Sequence, residues 1–134
     1  MATNIEKVAQ LAEAGSYRIV PADANGCGEA KEINCRDLLR ISLTVNQRQI
    51  VTAAGYSVTK SACSALYASA AAAVSLALGK PALAAYAVSL EDIGALLSDD
   101  GELDKAHIHC ALMAELALKR AVVNYSSRRG TGVL

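Results

Sequence analysis

From Leu39 to Val45 the chain alternates: Leu39, Ile41, Leu43 and Val45 fall on one face, and Arg40, Ser42 and Thr44 on the other. This period of two predicts a half-buried strand within CRDLLRISLTV. The next residues, NQRQ (Asn46 to Gln49), turn the chain into a second strand from Ile50, and a third short strand is expected around Tyr56 to Thr59. From Ser61 onward the pattern becomes helical. SACSALYASAAAAVSLALGK reads as an Ala-rich helix ending at Gly79, and Pro81 opens a short helix. Ser89 and Asp92 make a capping-box start for another helix through Leu97, and SDDGE breaks it. LDKAHIHCALMAELALKR then begins a last long helix, expected to end near Tyr125 before a frayed tail, SSRRGTGVL. At the other end, Asn4 or Thr3 can cap a helix from about Ile5 to Ala14 that Gly15 stops. GSYRIVPADANGCGEAKEIN, Gly15 to Asn34, holds no sustained period and reads as a long mobile loop. Strands first and helices afterward predict an α+β fold: a small antiparallel three-stranded sheet with helices packed on one face.

The chain has 134 residues, the size of one domain spanning 1–134, with about 126–134 as a flexible tail. Trp and Phe are absent, so the core must be built from Leu, Ile, Val, Ala and Tyr. The formal net charge is zero, which argues against a nucleic-acid footprint and against attraction to acidic lipid. The start, MATNIEKVAQ, lacks a basic segment followed by an apolar one, so the expected location is the cytoplasm. Ala62 to Val88 is apolar, but Gly79, Lys80 and Pro81 interrupt it at a natural helix end, which favours a buried helical hairpin over a membrane span.

The four cysteines, Cys27, Cys35, Cys63 and Cys110, are widely spaced and form no CxxC pair. A disulfide framework is not expected, and any metal site must be assembled by the fold. Cys35 and Asp37 share the strand parity of Leu39 and Ile41, so both point toward the helical layer. Cys63 lies in the first turn of the Ala-rich helix, where the helix dipole favours thiolate over thiol. Cys110 falls on the inward side of the last helix with Ala114, Ala117, Leu118 and Ala121, opposite Asp104, Glu115 and Lys119. A lone inward cysteine is also a common small apolar core residue. Three thiols and a carboxylate from a strand start and two helix beginnings can nevertheless converge at one end of the sheet. A Cys₃Asp set there would hold zinc or an iron–sulfur centre.

The order of these motifs resembles the IscU/NifU-type iron–sulfur cluster scaffold family, from Ile5 to Tyr125. In that family a Cys-Gly-Asp opens the first strand, and CRDLLRISLTV carries Cys35 and Asp37 in register with it. The family's second cysteine opens an Ala/Ser-rich helix ending in Gly-Lys, like CSALYASAAAAVSLALGK, Cys63 to Lys80. Its third follows a histidine in a pattern similar to HCALMAEL, His109 to Leu116, and IEKVAQLAEAG looks like its amino-terminal helix. The resemblance implies a non-catalytic scaffold that assembles a transient [2Fe–2S] cluster on Cys35, Cys63 and Cys110. Asp37 would make the cluster labile, and His109 would be an alternative ligand. It further implies a cysteine desulfurase delivering persulfide sulfur, with Cys110 as the candidate acceptor, and iron–sulfur acceptor proteins downstream. Two other roles fit the same residues: a zinc-binding sulfur acceptor, with zinc in the cluster-free form, and a diverged structural or partner-binding module. Here Arg36 replaces the family's Gly, and Ala62 and Ser64 replace the glycines flanking the second cysteine. The Leu-Pro-Pro-Val-Lys segment read by a dedicated chaperone is LDKAH, Leu103 to His107, which argues against chaperone-dependent transfer. Cys27 has no counterpart in the family pattern and is expected to be an inconsequential loop thiol. His107, one turn before Cys110, is expected to be an ordinary helix-start histidine.

Overall fold

A computed structural model describes residues 15–31, 38–58, 64–98 and 105–130. After a 3₁₀ turn at Gly15–Arg18 come three strands, β1 (Gly26–Lys31), β2 (Leu38–Val45) and β3 (Val51–Val58). Four helices follow: α1 (Ser64–Ala77), α2 (Ala82–Tyr86), α3 (Leu90–Leu97) and α4 (Lys105–Gly130). The strands form one antiparallel sheet in the order β1-β2-β3. This is the expected α+β class and strand number, but the strands are drawn differently. Tyr56 continues the strand that begins at Val51, so two expected strands are one. The remaining strand, β1, lies in the stretch that reads as a loop, and Cys27 is therefore a strand residue. The expected helix over Ile5 to Ala14 falls outside the described residues.

Leu39, Ile41 and Leu43 on β2 pair with Ala30, Gly28 and Gly26 on β1 and with Val58, Tyr56 and Ala54 on β3. Antiparallel partners share a face, so these residues form the side that meets the helices. Gly28 lets α4 approach closely: a Cβ there would stand 2.3 Å from both the Ala117 carbonyl oxygen and the Ala121 nitrogen. Helix α1 occupies the centre of the layer, with Ala68 to Val74 all buried. Its Ala-rich sequence follows from this position, because thin side chains on every side let the sheet and the other helices close around it. On the opposite face of the sheet, Gly55 accepts the backbone of Ile19 and Val20.

The connections follow the sequence closely. The Asn46 side-chain oxygen accepts from the Arg48 and Ile50 amides (2.9 and 3.0 Å), closing the β2–β3 turn, and Gln49 takes a positive φ of 68°. Gly79, at φ 80°, ends the α1 segment and donates its amide to the Val51 carbonyl. Pro81 directly precedes α2. Ser89 and Asp92 form the expected capping box: the Ser89 hydroxyl accepts from the Asp92 amide, and the Asp92 carboxylate accepts from the Ser89 amide at 3.0 Å. Ser89→Ala should lower stability by about 1 kcal/mol, read as a shift of the urea midpoint with an unchanged slope. Helix α4 runs five residues beyond Tyr125, to Gly130. Among the described residues, no helix is long and apolar enough to cross a membrane.

Candidate functional site

The register identifies the end of the sheet where the candidate residues attach. Lys31, the last residue of β1, pairs with Leu38, the first of β2. Segment 32–37, which carries Cys35 and Asp37, therefore leaves and re-enters the sheet at one paired position. Leu39 pairs with Val58, the last residue of β3. Segment 59–63, which carries Cys63, therefore starts from that same end and leads directly into α1 at Ser64.

Helix α4 points its first half toward this end. Gly26 abuts Ala121 and Tyr125, whereas Gly28 abuts Ala117 and Ala121, so progress along β1 toward Lys31 is progress along α4 toward its N-terminus. At about 3.3 Å per strand residue and about 1.5 Å per helical residue, Lys31 stands roughly level with the turn that follows Cys110.

Cys110 is partly buried and packs against the hydrophobic core, as its helical phase predicts. His109 is exposed, about 100° around the helix from its neighbour. Cys35, Asp37 and Cys63 lie outside the described residues, as does Arg36, and the side chain of His107 is likewise outside them. Among the described residues, no three His, Cys, Asp or Glu side chains gather. Of the expected ligand set, only His109 and Cys110 belong to those residues.

Cys27 sits elsewhere. It pairs with Ser42, on the sheet face away from α4, and its thiol donates to the Ser42 hydroxyl at 3.5 Å. The neighbouring Arg40 guanidinium is held above its ordinary pKa by hydrogen bonding to, and charge attraction by, Cys27. The Cys27 amide donates to the Asn124 side chain at 3.0 Å, and the Arg120 guanidinium donates to the Glu29 carbonyl at 2.7 Å. Helix α4 thus satisfies backbone groups along the outer edge of β1, which an edge strand would otherwise leave open. Sequence reading missed this edge cluster. Its one available signal was the Gly-x-Gly of GCG, whose two glycines are where a helix comes close.

Residues 9–131 match the family model described as the NifU-like N-terminal domain. The chain belongs to this family. It is 29% identical over 104 residues to the iron–sulfur cluster assembly scaffold protein IscU of Escherichia coli K12, covering 78% of this chain and 77% of that protein. The IscU of Shigella flexneri matches to the same extent. Among solved structures, the N-terminal part of a NifU-like protein from Brucella abortus superposes with a TM-score of 0.66 at 13% identity, over 92% of this chain and 94% of that one. A protein of Fervidobacterium islandicum AW-1, assigned as an iron–sulfur cluster assembly scaffold for the SUF system, superposes with a TM-score of 0.67 at 14% identity, over 89% and 96%. At such identities the structural likeness concerns the fold: a NifU-like sheet with its helical layer on one side.

Proposed function

We propose that this chain is a scaffold on which a labile iron–sulfur cluster is assembled and from which it passes to acceptor proteins. One observation carries the reading: segments 32–37 and 59–63 both attach at the end of the sheet toward which α4 directs the turn bearing Cys110. Family membership and the likeness to IscU proteins support it. The cluster is cargo rather than a resident cofactor, and the protein's work is to bind, hold and release it. Cys35, Cys63 and Cys110 supply the thiolates that sulfide-bridged iron prefers, and Asp37 supplies one harder oxygen donor.

A cysteine desulfurase is the proposed sulfur source. The Cys110 thiolate attacks the outer sulfur of the desulfurase persulfide, a new S–S bond forms on Cys110, and the desulfurase thiolate leaves with the electron pair of the broken S–S bond. The transferred sulfur remains at the sulfane level until an external reductant supplies two electrons to make sulfide. Partial burial of Cys110 shields that persulfide from bulk thiols, while its helix keeps it at the sheet end. Reduced thiolates of this kind suit the cytoplasm, where thiols stay reduced.

Asp37 distinguishes a scaffold from a permanent metal site. A carboxylate on ferric iron is displaced by water or an incoming thiol more readily than a thiolate is. Asp37→Ala, reconstituted anaerobically with iron and sulfide, should keep its visible absorption several-fold longer than the parent and pass its cluster to an apo-ferredoxin more slowly. Faster loss from the variant would make Asp37 a retaining ligand and would contradict the labile-scaffold reading. Zinc in the purified protein, with no visible chromophore after reconstitution, would favour a sulfur-acceptor role instead.

A further inference from the structure

Along the outer edge of β1, an open groove of about 760 Å³ runs from α4 around the strand to Cys27 and Arg40 on the far face of the sheet. Its apolar surface is Tyr86, Leu116 and Val123, and its charged lining is Arg40, Lys119 and Arg120 against the single carboxylate of Glu29. For a chain of zero net charge, three cations to one anion is a local excess. The apolar line continues past the groove. Leu112, Leu116 and Val123 are 42%, 41% and 53% exposed, and Leu83 and Tyr86 on α2 are 81% and 42% exposed.

Helical phase sets this surface apart from the cluster end. Leu112, Leu116, Lys119 and Val123 fall within about 60° of one another around α4, and Cys110 lies about 120–160° from the three apolar ones. The line from Leu112 to Val123 is about 16 Å long, three turns of helix, which is too long for one small anion and matches a peptide segment. Strand addition does not suit it, because the outward Cys27 amide and Glu29 carbonyl are already bonded to Asn124 and Arg120. Recognition there must work through side chains.

We infer that this groove is a docking site for an amphipathic helical segment of a partner protein, with aliphatic or aromatic anchors at i, i+4 and i+7 and carboxylates beside them. The anchors lie along Leu116, Val123 and Tyr86. The carboxylates meet Arg120 and Arg40, which have guanidinium N–H groups beyond those used in the fold, as well as Lys119. Lys119 also holds α2 in place, donating to the carbonyls of Tyr86 and Val88 with its ammonium 4.8 Å from the Tyr86 ring centre. Lys119 thus ties α2 to α4 along one side of the groove, and the mode proposed is helix-in-groove.

The test is selection of a phage-displayed library of random dodecapeptides on the parent protein. Enriched peptides should carry Asp or Glu beside aliphatic or aromatic residues at helical spacing. They should bind the parent at least about tenfold more tightly than Arg120→Glu or Val123→Asp, the loss expected at a central contact. Circular dichroism checks both variants, and exposed Val123 provides a second change that removes no hydrogen bond of Arg120. Bound peptide should slow alkylation of Cys27, read by peptide mapping, and leave that of Cys110 unchanged. Binding should survive Cys110→Ser, which separates this surface from the cluster reading. Enrichment of basic or purely apolar peptides, equal binding by the parent and both folded variants, or no enrichment at all would overturn the inference.

Discussion

Gly28→Ala should destabilise the protein by about 3 kcal/mol, a large part of the roughly 5–15 kcal/mol that holds a domain together. The added Cβ would stand 2.3 Å from the Ala117 oxygen and 2.3 Å from the Ala121 nitrogen, and 2.7 Å from the Arg120 carbonyl carbon. All three are backbone atoms of one helix, so no flexible side chain can yield, and α4 must move off β1. Gly79→Ala provides the contrast. Nothing lies within 4 Å of a Cβ there, and the cost is only that of an L-residue at φ 80°, about 1 kcal/mol. Thermal unfolding should therefore rank parent, Gly79→Ala and Gly28→Ala in falling order, with Gly28→Ala lower by about 10 °C. A Gly28→Ala melting point at or above that of Gly79→Ala would mean that α4 does not rest on β1 as described.

The same contact explains why β1 was illegible. Strands announce themselves by β-branched and aromatic residues in alternation, and GCGEAK has neither, because its inward positions Gly26 and Gly28 must be glycine to admit the helix. Tertiary packing overrode local propensity at these positions. β2 was legible because Leu39, Ile41, Leu43 and Val45 fill space between sheet and helices with ordinary bulk. The β3 pattern, VTAAGYSV, is interrupted by small residues. Gly55 sits where the Ile19 backbone crosses the sheet, and this splits one strand into two apparent ones. Helix boundaries were clearer, since the Ser89 box and Gly79 act locally and need no knowledge of neighbours.

Different signals marked the candidate site. Strand parity and helix phase gave directions for individual cysteines, and for Cys110 the direction agrees with its packing against the core. They also allow the three thiols and the carboxylate to converge at one end of the sheet, but which end that is depends on strand register and on which end of α4 lies beside Lys31. Pairing of Lys31 with Leu38 and of Leu39 with Val58 puts the last residues of β1 and β3 and the first of β2 at one end of the sheet. Cys27 shows the limit from the other side. Its place on the far face, between Ser42 and Arg40, follows from a strand that the sequence concealed.

Replacing Cys35, Cys63 or Cys110 individually with Ser should nearly abolish the visible absorption obtained after anaerobic reconstitution, whereas Cys27→Ser should retain it. Loss of a direct thiolate should reduce retention by more than about tenfold, since even outer-shell partners of a metal are worth about 10–100-fold. Cys110 has a further requirement, because it is the proposed sulfur acceptor. Incubated with a cysteine desulfurase and cysteine, the parent should gain one sulfur on the peptide containing Cys110, and Cys110→Ser should gain none there. Cys110→Ala separates ligation from packing. If the thiol merely fills space beside the core, Ala leaves a small gap, alters the melting point slightly, and spares the chromophore. If the thiol binds iron, Ala removes the chromophore as completely as Ser does, whatever happens to the melting point. A chromophore that survives Cys110→Ala, or that Cys27→Ser eliminates equally, would remove Cys110 from the ligand set and with it the convergence on which the scaffold reading depends.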